Sequence, residues 1–125
     1  MNACVYIIDD SQMVRQSISL LLKSRLGVTV ETFESGTAFV ESKQTAAHCI
    51  LLDLRMPGLS GWEVIEHLQR QGNSIPVLVM SGHLEERPLL EQPEFVRGFF
   101  QKPCDLMTLV QATSEAIAST NAAPE

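Results

Sequence analysis

The amino-acid sequence predicts an α/β fold in which a five-stranded parallel sheet is covered by helices on both faces. Short apolar runs alternate five times with segments of helical periodicity, which is the pattern of repeated strand–helix units. Two of these runs, residues 4–8 and 49–52, are apolar almost throughout, as in strands buried on both faces. Strand–helix–strand units of this kind connect by right-handed crossovers, so we expect all the strands to run parallel.

The predicted strands are short and rich in aliphatic and β-branched residues, which favour extended structure. They span residues 4–8, 28–33, 49–52, 75–80 and 98–101. The second strand alternates between polar and apolar residues, as a half-exposed edge strand does. Pro76 falls near the start of the fourth strand, where a residue without an amide hydrogen is tolerated.

The predicted helices follow the strands in order. They span residues 12–26, 36 to about 46, 61–71, 84–92 and 106–117. Ser60 and Glu63 form a capping-box pattern at the start of the third helix. Pro88 interrupts the fourth helix. We expect the last helix to bury one face that includes Leu106 and Leu109, and we expect residues 118–125 to be a frayed end or the start of a linker.

Size and composition limit the classes of function. The chain has 125 residues, 45% of them hydrophobic and 19% charged, which predicts one globular domain at residues 1–119 and a tail or linker at 120–125. The net charge of −6 disfavours nucleic-acid binding by this domain itself. The three cysteines lack the spacing of a zinc site. Neither a membrane span nor a leader pattern is present, so we expect a cytoplasmic protein without membrane contact.

Polar side chains gather where the predicted strands end. Asp9 and Asp10 follow the first strand, and Asp53 follows the third. Ser81 and Lys102 follow the fourth and the fifth. Three of the four aspartates and one of the three lysines therefore meet at the sheet edge where α/β proteins bind ligands.

The chemistry of this group favours phosphoryl transfer. Neighbouring carboxylates disfavour one another's ionisation, and a divalent cation relieves that conflict. An oxygen-only donor set favours Mg²⁺, with Mn²⁺ as an alternative ion. Asp53 is then the natural nucleophile, while Ser81 and Lys102 bind phosphoryl oxygens. Taken singly, these residues also fit ordinary roles at a helix N-terminus, in a turn or in solvent.

Over essentially its whole length the chain resembles the response-regulator receiver domains of two-component signalling, especially those that precede helix-turn-helix output domains. Four motifs carry the resemblance: Ile-Asp-Asp-Ser at residues 8–11, Leu-Leu-Asp-Leu-Arg-Met-Pro-Gly at 51–58, Val-Met-Ser-Gly-His at 79–83 and Phe-Phe-Gln-Lys-Pro at 99–103. Their order and spacing are highly specific. The resemblance implies a flavodoxin-like (βα)5 fold with strand order 2-1-3-4-5.

The resemblance implies how the phosphate and the metal are held. Asp53 matches the phospho-acceptor of the family. Asp10, Asp53 and the backbone carbonyl of Arg55 match its Mg²⁺ ligands, and Asp9 acts through a water molecule. Such a domain is not an enzyme in the usual sense, because it catalyses only its own phosphorylation and dephosphorylation.

The resemblance also implies a switch. Ser81 and Lys102 match the residues that bind the phosphoryl group. Phe99 matches the aromatic side chain that moves inward when the serine hydroxyl is drawn to the phosphate. In the family the peptide bond between Lys102 and Pro103 is cis.

Two further residues lie at the rim of the predicted site. Arg55 and His83 each follow a site residue by two positions, after Asp53 and Ser81 respectively. We hypothesise that both reach over the phosphate and tune its lifetime. The alternative is that both side chains point to solvent.

The resemblance implies a histidine kinase or phosphotransfer protein as partner, with small phosphodonors as alternative donors. Output is expected from the face formed by the fourth helix, the fifth strand and the last helix. Pro88 and Pro93 interrupt that region, and we therefore predict an unusual output or dimer surface. That surface would serve an attached output domain that regulates transcription, or a homodimer that depends on phosphorylation.

Two other functions use related features. Phosphatases of the haloacid-dehalogenase type have an aspartate nucleophile at a strand end, but they need a second aspartate where this chain has Arg55. Flavin-binding domains of the same fold need a phosphate-binding loop after the first strand, where Asp9 and Asp10 would repel a phosphate.

Overall fold

The computed structural model describes residues 3–82 and 91–122. The strands are β1 (Cys4–Ile8), β2 (Thr29–Phe33), β3 (Cys49–Asp53), β4 (Val77–Ser81) and β5 (Val96–Gln101). The described helices are α1 (Gln12–Leu26), α2 (Gly36–Ser42), α3 (Gly61–Arg70) and α4 (Leu106–Ala122). Most of the helix predicted over residues 84–92, including Pro88, lies outside the described residues.

The five strands form one parallel sheet in the order β2-β1-β3-β4-β5, as predicted. The apolar strands β1, β3 and β4 occupy its centre, and β2 and β5 form its edges. Because all five strands run in the same direction, their carboxyl ends lie along one edge of the sheet.

Alternate residues of the central strands pack on opposite faces of the sheet. Leu52 belongs to an apolar cluster that includes Phe39 of α2 and Val64 of α3. Leu51 belongs to a second cluster, which includes Leu22 of α1 and Leu109 of α4. The prediction of helices on both faces is therefore confirmed.

Helix α1 is capped at both ends, and the capping box predicted at the start of α3 is confirmed. The Ser11 hydroxyl accepts a hydrogen bond from the Val14 amide at 3.3 Å. Gly27 ends α1 in the left-handed region, with φ of 65°. At the start of α3 the Glu63 amide donates to the Ser60 hydroxyl at 3.3 Å, and the Ser60 amide donates to Oε1 of Glu63 at 2.8 Å. These caps fix the loops that precede α1 and α3, where three of the predicted site residues lie.

The ends of α2 and α4 differ from the predictions. Helix α2 ends at Ser42, before residue 46, because Lys43 adopts a left-handed conformation with φ of 56°. Helix α4 continues to Ala122, so the predicted fraying from residue 118 is wrong. The Thr120 hydroxyl donates to the carbonyl of His48 at 3.2 Å, which ties this last turn to the residue that precedes β3.

Two smaller predictions also need correction. Leu106 is 38% exposed, because it is the first residue of α4 and lies beyond the sheet edge that buries Leu109. Strand β4 begins at Val77, two residues later than predicted, because the Asn73 side chain bonds both the amide and the carbonyl of Ile75. No helix among the described residues has the length and apolar character needed to cross a membrane.

Candidate functional site

Five polar residues lie at the carboxyl edge of the sheet. Asp53 and Ser81 are the last residues of β3 and β4. Asp9 and Asp10 directly follow β1, and Lys102 directly follows β5. The structure therefore brings together the strand ends that carry all five residues.

Backbone hydrogen bonds connect three of these strand ends. The Leu54 amide donates to the carbonyl of Met80 at 3.0 Å, joining the end of β3 to β4. The Lys102 amide donates to the carbonyl of Ser81 at 2.6 Å, joining the end of β5 to β4. Asp53, Ser81 and Lys102 consequently occupy fixed positions relative to one another.

Asp9 is the most firmly held carboxylate of the group. It is fully buried, and Nζ of Lys102 donates to its Oδ2 at 2.7 Å. The Ser11 amide donates to Oδ1 at 2.9 Å. Burial lowers the pKa of Lys102, but the hydrogen bond to Asp9 and the charges of Asp53 and Asp9 outweigh it and raise the pKa overall.

Asp53 is also buried, in an environment that stabilises its charged form less than that of Asp9 does. Its side chain is 5% exposed, and its Oδ2 lies 3.5 Å from Nζ of Lys102. Burial and then the charge of Asp9 raise the pKa of Asp53 to about 6, against the opposing effect of Lys102. The ionised carboxylate is therefore destabilised, which favours a cation or an electrophile beside it.

The three carboxylates fit a hard divalent cation. Asp9, Asp10 and Asp53 each place one oxygen atom within 4.8 Å of the others. Asp9 and Asp53 are buried and Asp10 is exposed, so the cluster opens to solvent on the side of Asp10. This oxygen-only set suits Mg²⁺, which keeps several waters and needs few carboxylates.

Phe99 of β5 lies beside the site and contacts the start of α3. Its ring centroid is 6.0 Å from that of Trp62, with the planes tilted by 43°. Both residues pack against the apolar cluster that contains Leu52. The peptide bond between Lys102 and Pro103 is cis, as predicted.

Comparison with known proteins identifies the family. The family model described as "Response regulator receiver domain" matches residues 5–114. The chain is a response regulator receiver domain. Receiver domains are the phosphorylation-dependent signalling units of two-component systems, so this chain is a signalling switch rather than a conventional enzyme.

Several response regulators are similar to this receiver. TmoT of Ectopseudomonas mendocina is 41% identical over 83 residues, which cover 66% of this chain and 37% of TmoT. FixJ of Azorhizobium caulinodans is 33% identical over 115 residues, which cover 90% of this chain and 54% of FixJ. This chain therefore spans about half the length, or less, of these curated relatives.

Solved structures agree with the fold. The response regulator StyR superposes with a TM-score of 0.86 at 29% identity, over 97% of this chain and 62% of StyR. The chemotaxis protein CheY4 of Vibrio cholerae gives a TM-score of 0.79 at 25% identity, over 93% of this chain and 99% of CheY4. The flavodoxin-like prediction is confirmed, and family membership disfavours the phosphatase and flavin-binding alternatives.

Of the two residues predicted to lie at the rim of the receiver's site, only Arg55 is among the described residues, and the tuning role of both stays a prediction. Arg55 is exposed, and its backbone amide lies 3.4 Å from Oδ1 of Asp53, to which it donates. This contact keeps the backbone of Arg55 directly beside the Asp53 carboxylate. His83 lies outside the described residues, so its role in tuning the phosphate stays a prediction.

Sequence reasoning missed one residue that contacts the site. Nη1 of Arg15, in the first turns of α1, donates to the backbone carbonyl of Asp9 at 2.6 Å. The residue lies on the half-buried side of an amphipathic helix, where an arginine usually extends into solvent. Its position about one turn into the helix that follows Asp9 was the available signal, since that distance lets a long side chain reach back.

Gly61, the first residue of α3, fixes how closely that helix approaches the end of β3. A Cβ at this position would lie 2.6 Å from the carbonyl oxygen of Asp53 and 2.6 Å from Cα of Leu54. We expect Gly61→Ala to lower the free energy of unfolding by about 1.5 kcal/mol through this overpacking, measured by urea denaturation. Gly82→Ala is the control, since no heavy atom of the described residues lies within 4 Å of its Cβ position. Equal stabilities of the two variants would contradict the prediction.

Proposed function

We propose that this receiver accepts a phosphoryl group on Asp53 in a Mg²⁺-dependent reaction, from a histidine kinase or a phosphotransfer protein in the cytoplasm. The observation that carries the proposal is the position of Lys102, whose ammonium lies 2.7 Å from Asp9 and 3.5 Å from Asp53. A single cation shared by two buried carboxylates leaves the cluster with an excess of negative charge. That excess favours a second cation, and the ammonium remains near Asp53 to neutralise an incoming phosphoryl oxygen.

The reaction follows from the positions of these groups. A carboxylate oxygen of Asp53 forms a bond to phosphorus, while the bond from phosphorus to the donor breaks and its electron pair leaves with the donor. The donor atom is a histidine nitrogen of the kinase or the acyl oxygen of a small phosphodonor. Lys102 and Ser81 bind the oxygens of the transferred group, because both lie at strand ends joined to Asp53 through β4.

The proposal also assigns the residues that would hold the metal ion. Asp10, Asp53 and the carbonyl of Arg55 would hold Mg²⁺, with Asp9 acting through water. The bound cation supplies charge neutralisation and orients the phosphoryl oxygens. Mn²⁺ has similar ligand preferences and is expected to substitute.

The test is to incubate the whole chain with Mg²⁺ and acetyl phosphate and to measure its intact mass. We expect the mass of one phosphate to be added, and we expect none for Asp53→Asn or in the presence of a chelator. Asp105→Asn is the matched control, because Asp105 caps α4 and bonds the Met107 amide at 3.1 Å, which asparagine can also do. Phosphate gain by Asp53→Asn would refute Asp53 as the acceptor.

We propose that phosphorylation reaches the output surface through Phe99. The half-buried ring lies on the edge strand β5, which is part of the predicted output face, and Trp62 packs against it. An inward movement of Phe99 would change that surface, which would then contact an attached output domain or a second copy of the chain. Regulation of transcription is the proposed output, because FixJ is named a transcriptional regulatory protein and is longer than this chain.

A further inference from the structure

The contact between Arg15 and Asp9 joins α1 to the proposed metal site. The guanidinium donates from Nη1 to the Asp9 carbonyl at 2.6 Å, in a partly buried position. Arg15 itself is fixed in the first turns of the helix, where its amide donates to the carbonyl of Ser11 at 3.0 Å. The helix therefore carries a donor that bonds the backbone immediately before Asp10.

The carbonyl of Asp9 belongs to the peptide group that links Asp9 to Asp10. Fixing that oxygen fixes the plane of the peptide, and the plane sets the direction in which the Asp10 side chain leaves the backbone. The other polar atoms of Asp9 are bonded as well: its amide donates to the Phe33 carbonyl at 3.1 Å, and its carboxylate accepts from Ser11 and Lys102. Asp10 is exposed, so its position depends mainly on this backbone.

We propose that Arg15 is a positioning residue of the metal site, which holds the peptide between Asp9 and Asp10 so that the carboxylates of Asp9, Asp10 and Asp53 converge. This inference rests on the proposed function, because it assigns a residue to the metal site of that function. Arg15 does not touch the metal or the phosphate. It acts through Asp9, as residues behind metal ligands commonly do.

The proposal can be tested by whether the removal of Arg15 strengthens or weakens Mg²⁺ binding. A guanidinium near a cation site repels the cation, so its removal should strengthen Mg²⁺ binding if charge is all that Arg15 contributes. If Arg15 positions the carboxylates, its removal should weaken Mg²⁺ binding in spite of that gain. A residue that only stabilises the fold would leave the Mg²⁺ dissociation constant of the folded protein unchanged.

The experiment titrates MgCl₂ into the whole chain by isothermal calorimetry, for the wild type, Arg15→Met, Arg15→Lys and Lys23→Met. We expect the dissociation constant to rise about tenfold in Arg15→Met. We expect a smaller rise in Arg15→Lys, which keeps the charge but has a single point donor in place of the planar fork. Lys23→Met removes the same charge from an exposed position on α1, and its dissociation constant should stay equal to that of the wild type or fall.

A second readout separates binding from chemistry. At saturating Mg²⁺ the maximal rate of phosphorylation by acetyl phosphate should stay close to wild type in Arg15→Met, so that only the Mg²⁺ requirement rises. A dissociation constant in Arg15→Met that equals or falls below the wild-type value would overturn the inference while leaving the proposed function intact. A wild type that binds no Mg²⁺ would refute the proposed metal site itself. If Arg15→Met does not fold, Arg15→Lys tests positioning alone, because it keeps the charge; a dissociation constant equal to that of the wild type would then overturn the inference.

Discussion

Lys102→Met is expected to lower the free energy of unfolding by about 3 kcal/mol near neutral pH, measured by urea denaturation with a chelator present. The ammonium contacts Asp9 at 2.7 Å and Asp53 at 3.5 Å, and Asp9 is fully buried. Removing the cation leaves buried carboxylates that must either stay unpaired or take up protons. Both outcomes destabilise the folded protein relative to the unfolded chain.

The pH dependence of this effect has a definite sign. The pKa of Lys102 is raised in the folded protein, so its stabilising contribution is complete below the ordinary lysine pKa and is lost as the pH rises through the folded value. Toward acid pH the difference in the free energy of unfolding between the wild type and Lys102→Met should shrink as Asp53 takes up its proton. Lys43→Met is the control, because Lys43 is exposed. The free energy of unfolding of this variant should differ from that of the wild type by less than about 0.5 kcal/mol. Equal losses in both variants would contradict the role of Lys102.

Asp53→Asn is expected to raise the free energy of unfolding by about 2 kcal/mol near neutral pH in the absence of divalent cations. The pKa of Asp53 is raised to about 6, so the folded protein holds this proton more tightly than the unfolded chain does. As the pH rises from about 4 to about 6, the unfolded chain releases the proton first, and the stability of the wild type falls. Asparagine has no proton to lose, so the variant keeps the stability that the wild type shows at acid pH.

The difference between Asp53→Asn and wild type should therefore be present above about pH 6 and disappear below about pH 4. Added Mg²⁺ should stabilise the wild type more than the variant, because only the wild type offers all three carboxylates to the ion. Asp105→Asn should follow the wild type across the whole pH range, since Asp105 lies outside the cluster. A variant that is less stable than the wild type near neutral pH would show that the folded environment favours the charged form of Asp53.

The sequence was sufficient to predict the parts of the site that depend on strand ends. A carboxylate after an apolar run marks the carboxyl end of a buried strand, and parallel strands bring such ends together, so Asp9, Asp53 and Lys102 could be assigned to one edge before any coordinates were available. The capping box at Ser60 was equally visible, because its two side chains act within four residues of each other.

What could not be predicted depends on contacts between distant segments. The contact between Arg15 and Asp9 depends on the direction that one long side chain takes on a helix surface. The last turn of α4 persists because Thr120 bonds the carbonyl of His48, 72 residues away in the chain. The amide of Cys4 donates to Nδ1 of His48 at 3.1 Å, 44 residues away in the chain. Hydrophobic periodicity cannot predict such pairs, because it indicates only which side of a helix or strand is apolar.

Two backbone hydrogen bonds determine how easily thermal motion opens the site. The Leu54 amide donates to the Met80 carbonyl, and the Lys102 amide donates to the Ser81 carbonyl. Opening any one of the three strand ends breaks a hydrogen bond of a neighbouring strand end, so local fraying that moves the candidate site residues apart requires several strands to separate together. We expect the amide hydrogens of Leu54 and Lys102 to exchange with solvent deuterium as slowly as those in the middle of the sheet. The arrangement of these residues at the sheet edge is then as resistant to local unfolding as the sheet itself.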